Sequence, residues 1–228
     1  PFSLARAYVQ CLREHNKNFI IIGDLNWITY KEIFPMLKNN EVWLGYSSVK
    51  EFVQPDGTIK KFGNKLWYTN LDIQKRHEKL ILWQRYYDDD GNPLPGAEER
   101  YPHYDNYDAI NVDRVADIPA DYKPCWLSCS NAADCLFAQA KGMDNTPALC
   151  EQGCNGAMGV PITFLNSYNP DQFEIIWQAS GNTRACCPHA ILRDELHYVQ
   201  HSEDRGGCGV VNGKRVYSRI FIRKKVGV

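Results

Sequence analysis

Two cysteine pairs, Cys125-x-x-x-Cys129 and Cys150-x-x-x-Cys154, carry the spacing of a structural zinc site. Such sites take four ligands tetrahedrally, in pairs separated by two to four residues. The ion can hold together a segment too small to build its own core. Cys135 is then a spare. The alternative for the same residues is small, buried side chains with free thiols. Cys186-Cys187-Pro188-His189 and His197-x-x-x-His201 supply further donors, and on a helix the two histidines would share one face. No glutamate follows His197 in metalloprotease order, so zinc hydrolysis is not indicated. A surface helix with satisfied histidines is the preferred account of that segment.

Two other groupings carry polar chemistry. Asp24 and Asn26 close an apolar run, at the strand end where open α/β sheets bind ligands. Ordinary turn formation, which Asp and Asn favour, competes with that role. Tyr104-Asp105-Asn106-Tyr107-Asp108 interleaves rings with hydrogen-bonding groups. Asn106 could read a base edge, and Tyr104 and Tyr107 could stack on bases. The competing account is a polar loop whose tyrosines cover a core edge. Negative charge around this segment argues against direct contact with phosphates.

The elements that must position these groups follow from periodicity. Residues 3–15 place Leu4, Ala7, Tyr8, Cys11 and Leu12 at helical spacing, which predicts one buried stripe with Cys11 packed in it. Phe19-Ile20-Ile21-Ile22-Gly23 fits a strand buried on both faces. Thr29-x-x-Glu32 has the form of a capping box for a helix burying Ile33, Phe34 and Leu37. Val42-Trp43-Leu44-Gly45-Tyr46 is a further strand, and the alternation predicts a parallel α/β sheet. Pro55-Asp56-Gly57 marks a turn. Strands are expected at 66–69, 80–83, 160–165 and 173–177, a helix at 190–201, and a hairpin turn at Asn212-Gly213 with 215–222 as its second strand. Residues 88–102 have the composition of an exposed acidic connection.

Composition narrows the class. The chain has 228 residues, a formal net charge of −1 and nine cysteines. No run of about 18 apolar residues exists, so no transmembrane helix is expected, and with no secretory leader a cytoplasmic location is. Reduced thiols suit that compartment. The first residue is Pro1, which suggests processing or a fragment of a longer chain. Charge is unevenly spread: 88–121 is acidic, whereas Lys214, Arg215, Arg219, Arg223, Lys224 and Lys225 crowd the end. Such a tail either touches phosphates or protects a strand edge from aggregation.

Taken in order, a set of short matches resembles the EcoRI-type family of adenine-specific DNA methyltransferases over nearly the whole chain. It begins with Pro1-Phe2-Ser3-Leu4 ahead of the first helix, similar to the tail of an Asn-Pro-Pro-Phe motif. Ile28-Thr29-Tyr30-Lys31-Glu32, Trp43-Leu44-Gly45-Tyr46, Phe62-Gly63-Asn64 and Lys75-Arg76-His77-Glu78 follow, then 104–112, 158–165, 168–175 and 212–220. The resemblance implies methyl transfer from S-adenosylmethionine to the exocyclic amino group of adenine in double-stranded DNA, of the restriction-modification type. That amino group is a poor nucleophile, because its lone pair is delocalised into the ring. It must be held in line with the sulfonium methyl, its hydrogens engaged by acceptors. By resemblance Pro1 is the motif's second proline, and Phe2 is the aromatic that stacks on a base flipped out of the duplex.

The same resemblance implies a partial Rossmann-like class I methyltransferase sheet over 1–87. A strand-rich, irregular target-recognition region would occupy 88–228, with a Cys-rich insertion at about 123–157. The glycine-rich cofactor loop precedes the motif in the family. Gly23 offers no substitute, since a lone glycine at a strand end is a turn signal, so the isolated chain is expected to be inactive. The rival reading is a non-catalytic, zinc-stabilised module binding nucleic acid or protein, derived from such an enzyme.

Overall fold

The computed structural model describes residues 4–122 and 156–225. Helix α1 spans Ala5–Glu14 and buries Ala5 and Val9, with Leu12 half-buried. The helix is turned away from the expected stripe. Leu4 is 60% exposed, Tyr8 45%, and Cys11 is exposed too, so Cys11 is not a packing residue. Strand β1, Ile20–Asp24, leads into a 3-10 turn over Leu25–Thr29. The expected capping box does not form. Thr29 Oγ1 donates instead to the Asn26 carbonyl at 2.9 Å, and helix α2 starts later, at Phe34–Lys38, with no side-chain cap.

Strands β2 (Trp43–Val53) and β3 (Ile59–Thr69) form a hairpin around the predicted turn. The sheet order is β1-β3-β2, and both pairings are antiparallel. The strictly parallel sheet suggested by the helix–strand rhythm is therefore not what these strands build. β1 and β2 do run in the same direction across an α-helical connection, but β3 folds back between them. Sequence rhythm reports crossover connections and is blind to a hairpin strand inserted later.

A second sheet has the order β4-β5-β9-β6, from β4 (Ile110–Asn111), β5 (Met158–Pro161), β6 (Phe173–Ala179) and β9 (Arg219–Lys224). β4 and β5 are parallel; β9 pairs antiparallel with β5 and β6. Strands β7 (Val210–Val211) and β8 (Lys214–Arg215) make the expected small hairpin, with Asn212 at φ 51 and Gly213 at φ 70. That turn demands positive φ at both positions. The expected continuous strand from 215 is broken, because β9 leaves the hairpin for the second sheet. Residues 160–165 are likewise shared between β5 and a 3-10 turn, Ile162–Asn166.

One buried apolar cluster runs from Ala5 to Ile222 and includes residues of both sheets. Phe34 on α2 meets Trp177 on β6 edge-on, ring centroids 5.1 Å apart. Burying a ring of that size contributes about 1.5–3 kcal/mol. Lys38 Nζ donates to the Ile175 carbonyl at 3.1 Å and ties the same two elements. The expected strand at 80–83 does not form. Its backbone is satisfied by the Gln172 amide, which accepts from Leu80 N–H and donates to the Leu80 carbonyl, both at 2.9 Å. Ile81 and Trp83 point outward. The expected helix at 190–201 shrinks to a π-helical turn, Ile191–Glu195, and His197 has φ 43. His197 and His201 thus share no helix face. Among the described residues no helix is long and apolar enough to cross a membrane.

Candidate functional site

The carboxyl end of β1 gathers the densest polar constellation on the first sheet. Asp24 accepts from the Asn26 backbone N–H at 2.9 Å, from Asn64 Nδ2 at 2.9 Å and from Lys65 Nζ at 2.6 Å. Tyr68 donates its hydroxyl to the Asp24 carbonyl at 2.8 Å. The register explains the meeting, since Asp24 lies opposite Lys65 across β1 and β3. Partial burial pushes the Asp24 carboxyl up. The hydrogen bonds from Lys65, Asn26 and Asn64, with the Lys65 charge, outweigh it and hold the group below its ordinary value. Burial first, then the charge of Asp24, pushes the Tyr68 phenol far up, so it stays a donor. Asn26 contributes its backbone to this turn.

Helix α1 sets its first turn against the residues that follow β1. Arg6, in its first turn, pairs with Glu32 at 3.4 Å and lies 4.5 Å over the Tyr30 ring, and both partners follow β1 in sequence. At the other end Arg13 pairs with Glu41 at 2.8 Å, just before β2 begins. α1 therefore runs antiparallel to β1, its first residues beside the strand's carboxyl end. Pro1 and Phe2 lie outside the described residues, two or three positions before Leu4.

Gly23 does not cradle a ligand. A Cβ there would lie 2.4 Å from Trp27 Cε3 and 2.7 Å from Tyr68 Cε2. The glycine is required by two buried rings, Trp27 and Tyr68, whose centroids are 5.2 Å apart. The residues of β1 and its turn hence do not fit a dinucleotide-type cofactor loop.

The residues expected to read bases are placed inward. Tyr104 is 1% exposed, and Asn106 and Tyr107 are fully buried. Asn106 donates to the Cys208 carbonyl at 2.8 Å and accepts from Val210 N–H at 3.0 Å. Tyr107 donates to the Gly207 carbonyl at 2.6 Å, and Tyr104 to Asn111 at 2.9 Å. Burial raises both phenol pKa values well above the ordinary range. The expectation of direct base contact is corrected to one of core construction: none of the three turns its polar end to solvent. Asp108, read as part of the same polar loop, pairs with His197 Nδ1 at 3.0 Å.

The basic tail is largely engaged within the molecule. Arg219 reaches Asn111 and Asp113, Arg223 reaches Glu195, and Lys224 and Lys225 donate to the Ala120 and Pro170 carbonyls. Of the six, Lys214, Arg215 and Lys225 are exposed, and Lys225 is tied to the Pro170 carbonyl. A shallow cleft between Trp43, Lys75, Arg76, Leu165 and Tyr168 sits at the opposite end of the sheet from Asp24, with Arg76 stacked 3.7 Å over the Trp43 ring. The expected zinc ligands Cys125, Cys129, Cys150 and Cys154 lie outside the described residues. Among the described residues no group of three or more metal-ligating side chains is found. Sequence reasoning missed Asn64, Lys65 and Tyr68, which join the site only through strand register.

The sequence model of the family described as "Adenine-specific methyltransferase EcoRI" matches residues 1–126 and 150–225. The matched ranges leave out 127–149, inside the stretch read as an insertion. The Type II methyltransferase M.EcoRI of Escherichia coli is 39% identical over 243 residues, covering 99% of this chain and 56% of that protein. M.MpnI of Mycoplasma pneumoniae is 30% identical, covering 100% and 63%, and M.MgeORF184P of Mycoplasma genitalium 29%, covering 99% and 62%. The chain thus spans roughly three fifths of the length of these curated relatives. No solved structure matches it.

Proposed function

The chain belongs to the family of the EcoRI adenine-specific methyltransferase, and from that membership we propose that it is the C-terminal part of an enzyme methylating the exocyclic amino group of adenine in double-stranded DNA. The methyl donor is S-adenosylmethionine, and the setting is restriction and modification. The observation that carries this reading is the orientation of α1. It brings Arg6, in the first turn of the helix, against Tyr30 and Glu32, which follow the carboxyl end of β1, the end at which open α/β sheets bind ligands. The proposed catalytic motif ends at Pro1 and Phe2, immediately before this helix in sequence.

In this reading Phe2 stacks on the extruded adenine and keeps its amino group aligned. Asp24, fixed by Lys65, Asn64 and the Asn26 N–H, shapes the floor of the base pocket and holds a carboxylate there. Tyr104, Asn106 and Tyr107 support the target-recognition region from within. The cofactor supplies the electrophilic methyl group when bound.

The three strands are read as the end of a Rossmann-like sheet. Support comes from β1 and β2 running in one direction, and from the surfaces that further strands would cover. Ile20 on β1 is 59% exposed, and Leu4, Tyr8 and Cys11 face outward from α1. Full-length protein incubated with duplex DNA and tritiated S-adenosylmethionine tests the function. Label recovered in N6-methyladenine is expected; label in methylcytosine, or none in DNA, overturns it.

A further inference from the structure

The hairpin of β2 and β3 outgrows the sheet that carries it. β1 pairs with β3 only from Thr69 to Lys65, so the strands continue past Asp24 as a two-stranded ribbon of Val49–Val53 and Ile59–Asn64. At about 3.3 Å per residue the ribbon reaches roughly 20 Å beyond the carboxyl end of β1. Every residue from Pro55 to Lys61 is exposed.

Side-chain contacts link the two strands and brace the tip. Phe52 and Phe62 meet diagonally across the strands, edge to face, with centroids 5.2 Å apart. Such cross-strand pairs hold an isolated hairpin in register. At the tip Asp56 accepts from Thr58 N–H and Oγ1 at 2.9 and 2.6 Å, and Gly57 takes φ +81.

Its charge is one-sided. Residues 47–65 hold four lysines against two carboxylates, in a chain whose net charge is −1. Lys65 is committed to Asp24 at the base, and Glu51 faces Lys61 at 3.4 Å on one face. Phe52 lies opposite Lys60 and meets Phe62, so these three share the other face, with Lys60 Nζ 5.3 Å from the Phe62 ring centre. Lys50 and Lys60 are exposed, one on each strand. A major groove is wide enough to admit a two-stranded ribbon.

We propose that the β2–β3 ribbon is a duplex-binding arm that sets Lys50 and Lys60 against DNA phosphates and holds the duplex beside the carboxyl edge of β1. The inference rests on the methyltransferase reading above. A ribbon decorated with lysine only to discourage edge-to-edge pairing would look similar, and phosphate contact separates the two. Each phosphate contact steepens the fall of log K with log salt by about 0.9.

The test is duplex binding by the full-length protein, followed by fluorescence anisotropy across a salt series. Lys50→Ala/Lys60→Ala lowers the slope by about 1.8, while Lys50→Arg/Lys60→Arg keeps it. Lys214→Ala/Arg215→Ala, which removes the same charge from the other exposed hairpin, leaves the slope unchanged. Wild-type binding with an unchanged slope in K50A/K60A overturns the arm alone, as does an equal fall in K214A/R215A. A wild-type protein that binds no duplex overturns the arm and the methyltransferase reading together.

Discussion

Gly23→Ala is a sharp probe of the sheet edge, because its consequence can be worked from contact distances. An added Cβ meets Trp27 Cε3 at 2.4 Å, Trp27 Cζ3 at 2.6 Å and Tyr68 Cε2 at 2.7 Å. Ordinary carbon contacts lie at about 3.5–4.0 Å, so each overlap is near 1 Å. Neither ring can easily yield. Trp27 is 3% and Tyr68 1% exposed, and Tyr68 is held by its bond to the Asp24 carbonyl. Overpacking of this kind costs about 1–3 kcal/mol, and three simultaneous overlaps belong at the top of that range. Alanine recovers about 0.4–1 kcal/mol by restricting the unfolded chain. The expected net loss is about 2 kcal/mol, read by urea unfolding at unchanged slope. Trp27→Leu in the same background relieves the clash, giving a coupling of about 1 kcal/mol or more between the two positions. G23A within about 0.5 kcal/mol of wild type would refute the packing argument. Unchanged stability with weakened cofactor binding would restore Gly23 to a ligand loop.

Asp24→Asn tests the polar cluster through pH. The Asp24 carboxyl is held below its ordinary value of 3.8. Its contribution to stability is therefore present above about pH 4 and is lost as the pH falls through the lower folded value. The variant is expected to lose about 2 kcal/mol at pH 6 in urea unfolding and to converge on wild type as the carboxyl protonates in acid; a gap independent of pH would contradict the assignment. Asn106→Ala strips two short buried hydrogen bonds and leaves the Val210 N–H unpaired. It should cost about 3 kcal/mol, while DNA affinity per folded molecule stays within a factor of about two. A folded N106A protein with selectively lost sequence preference would return Asn106 to the DNA interface.

Local pattern made much of the backbone readable. The Ile20-Ile21-Ile22 run, the Pro55-Asp56-Gly57 and Asn212-Gly213 turns and the 173–177 strand are set by neighbours in sequence, and each formed where expected, although the isoleucine strand is not buried on both faces as its apolar run suggested: Ile20 is exposed, and Ile21 and Ile22 are half-buried. Two of the failures share a cause, which is a distant group overriding a local one. Gln172 satisfies Leu80 from 92 positions away and removes a strand. Asn106 takes the Val199 N–H through its carbonyl at 3.1 Å and helps end the helical turn before His201. Of the candidate site, Asp24 was legible as a polar residue closing a strand, but Lys65, 41 positions later, reaches it only through antiparallel register. Tyr104, Asn106 and Tyr107 misled because hydrogen-bonding residues between aromatics suit a recognition loop and a polar core equally well. Burial tells these apart, and no local spacing encodes it.

The central claim is that Phe2 stacks on adenine at the edge marked by Asp24. It is tested most directly by single-turnover methylation of duplex DNA by full-length Phe2→Ala and Phe2→Trp proteins. Aromatic stacking on a base is worth about 1–3 kcal/mol, so F2A should be slower by about 5- to 150-fold with its fold intact, and F2W should stay within a few-fold of wild type. Wild-type rates in F2A would contradict the account.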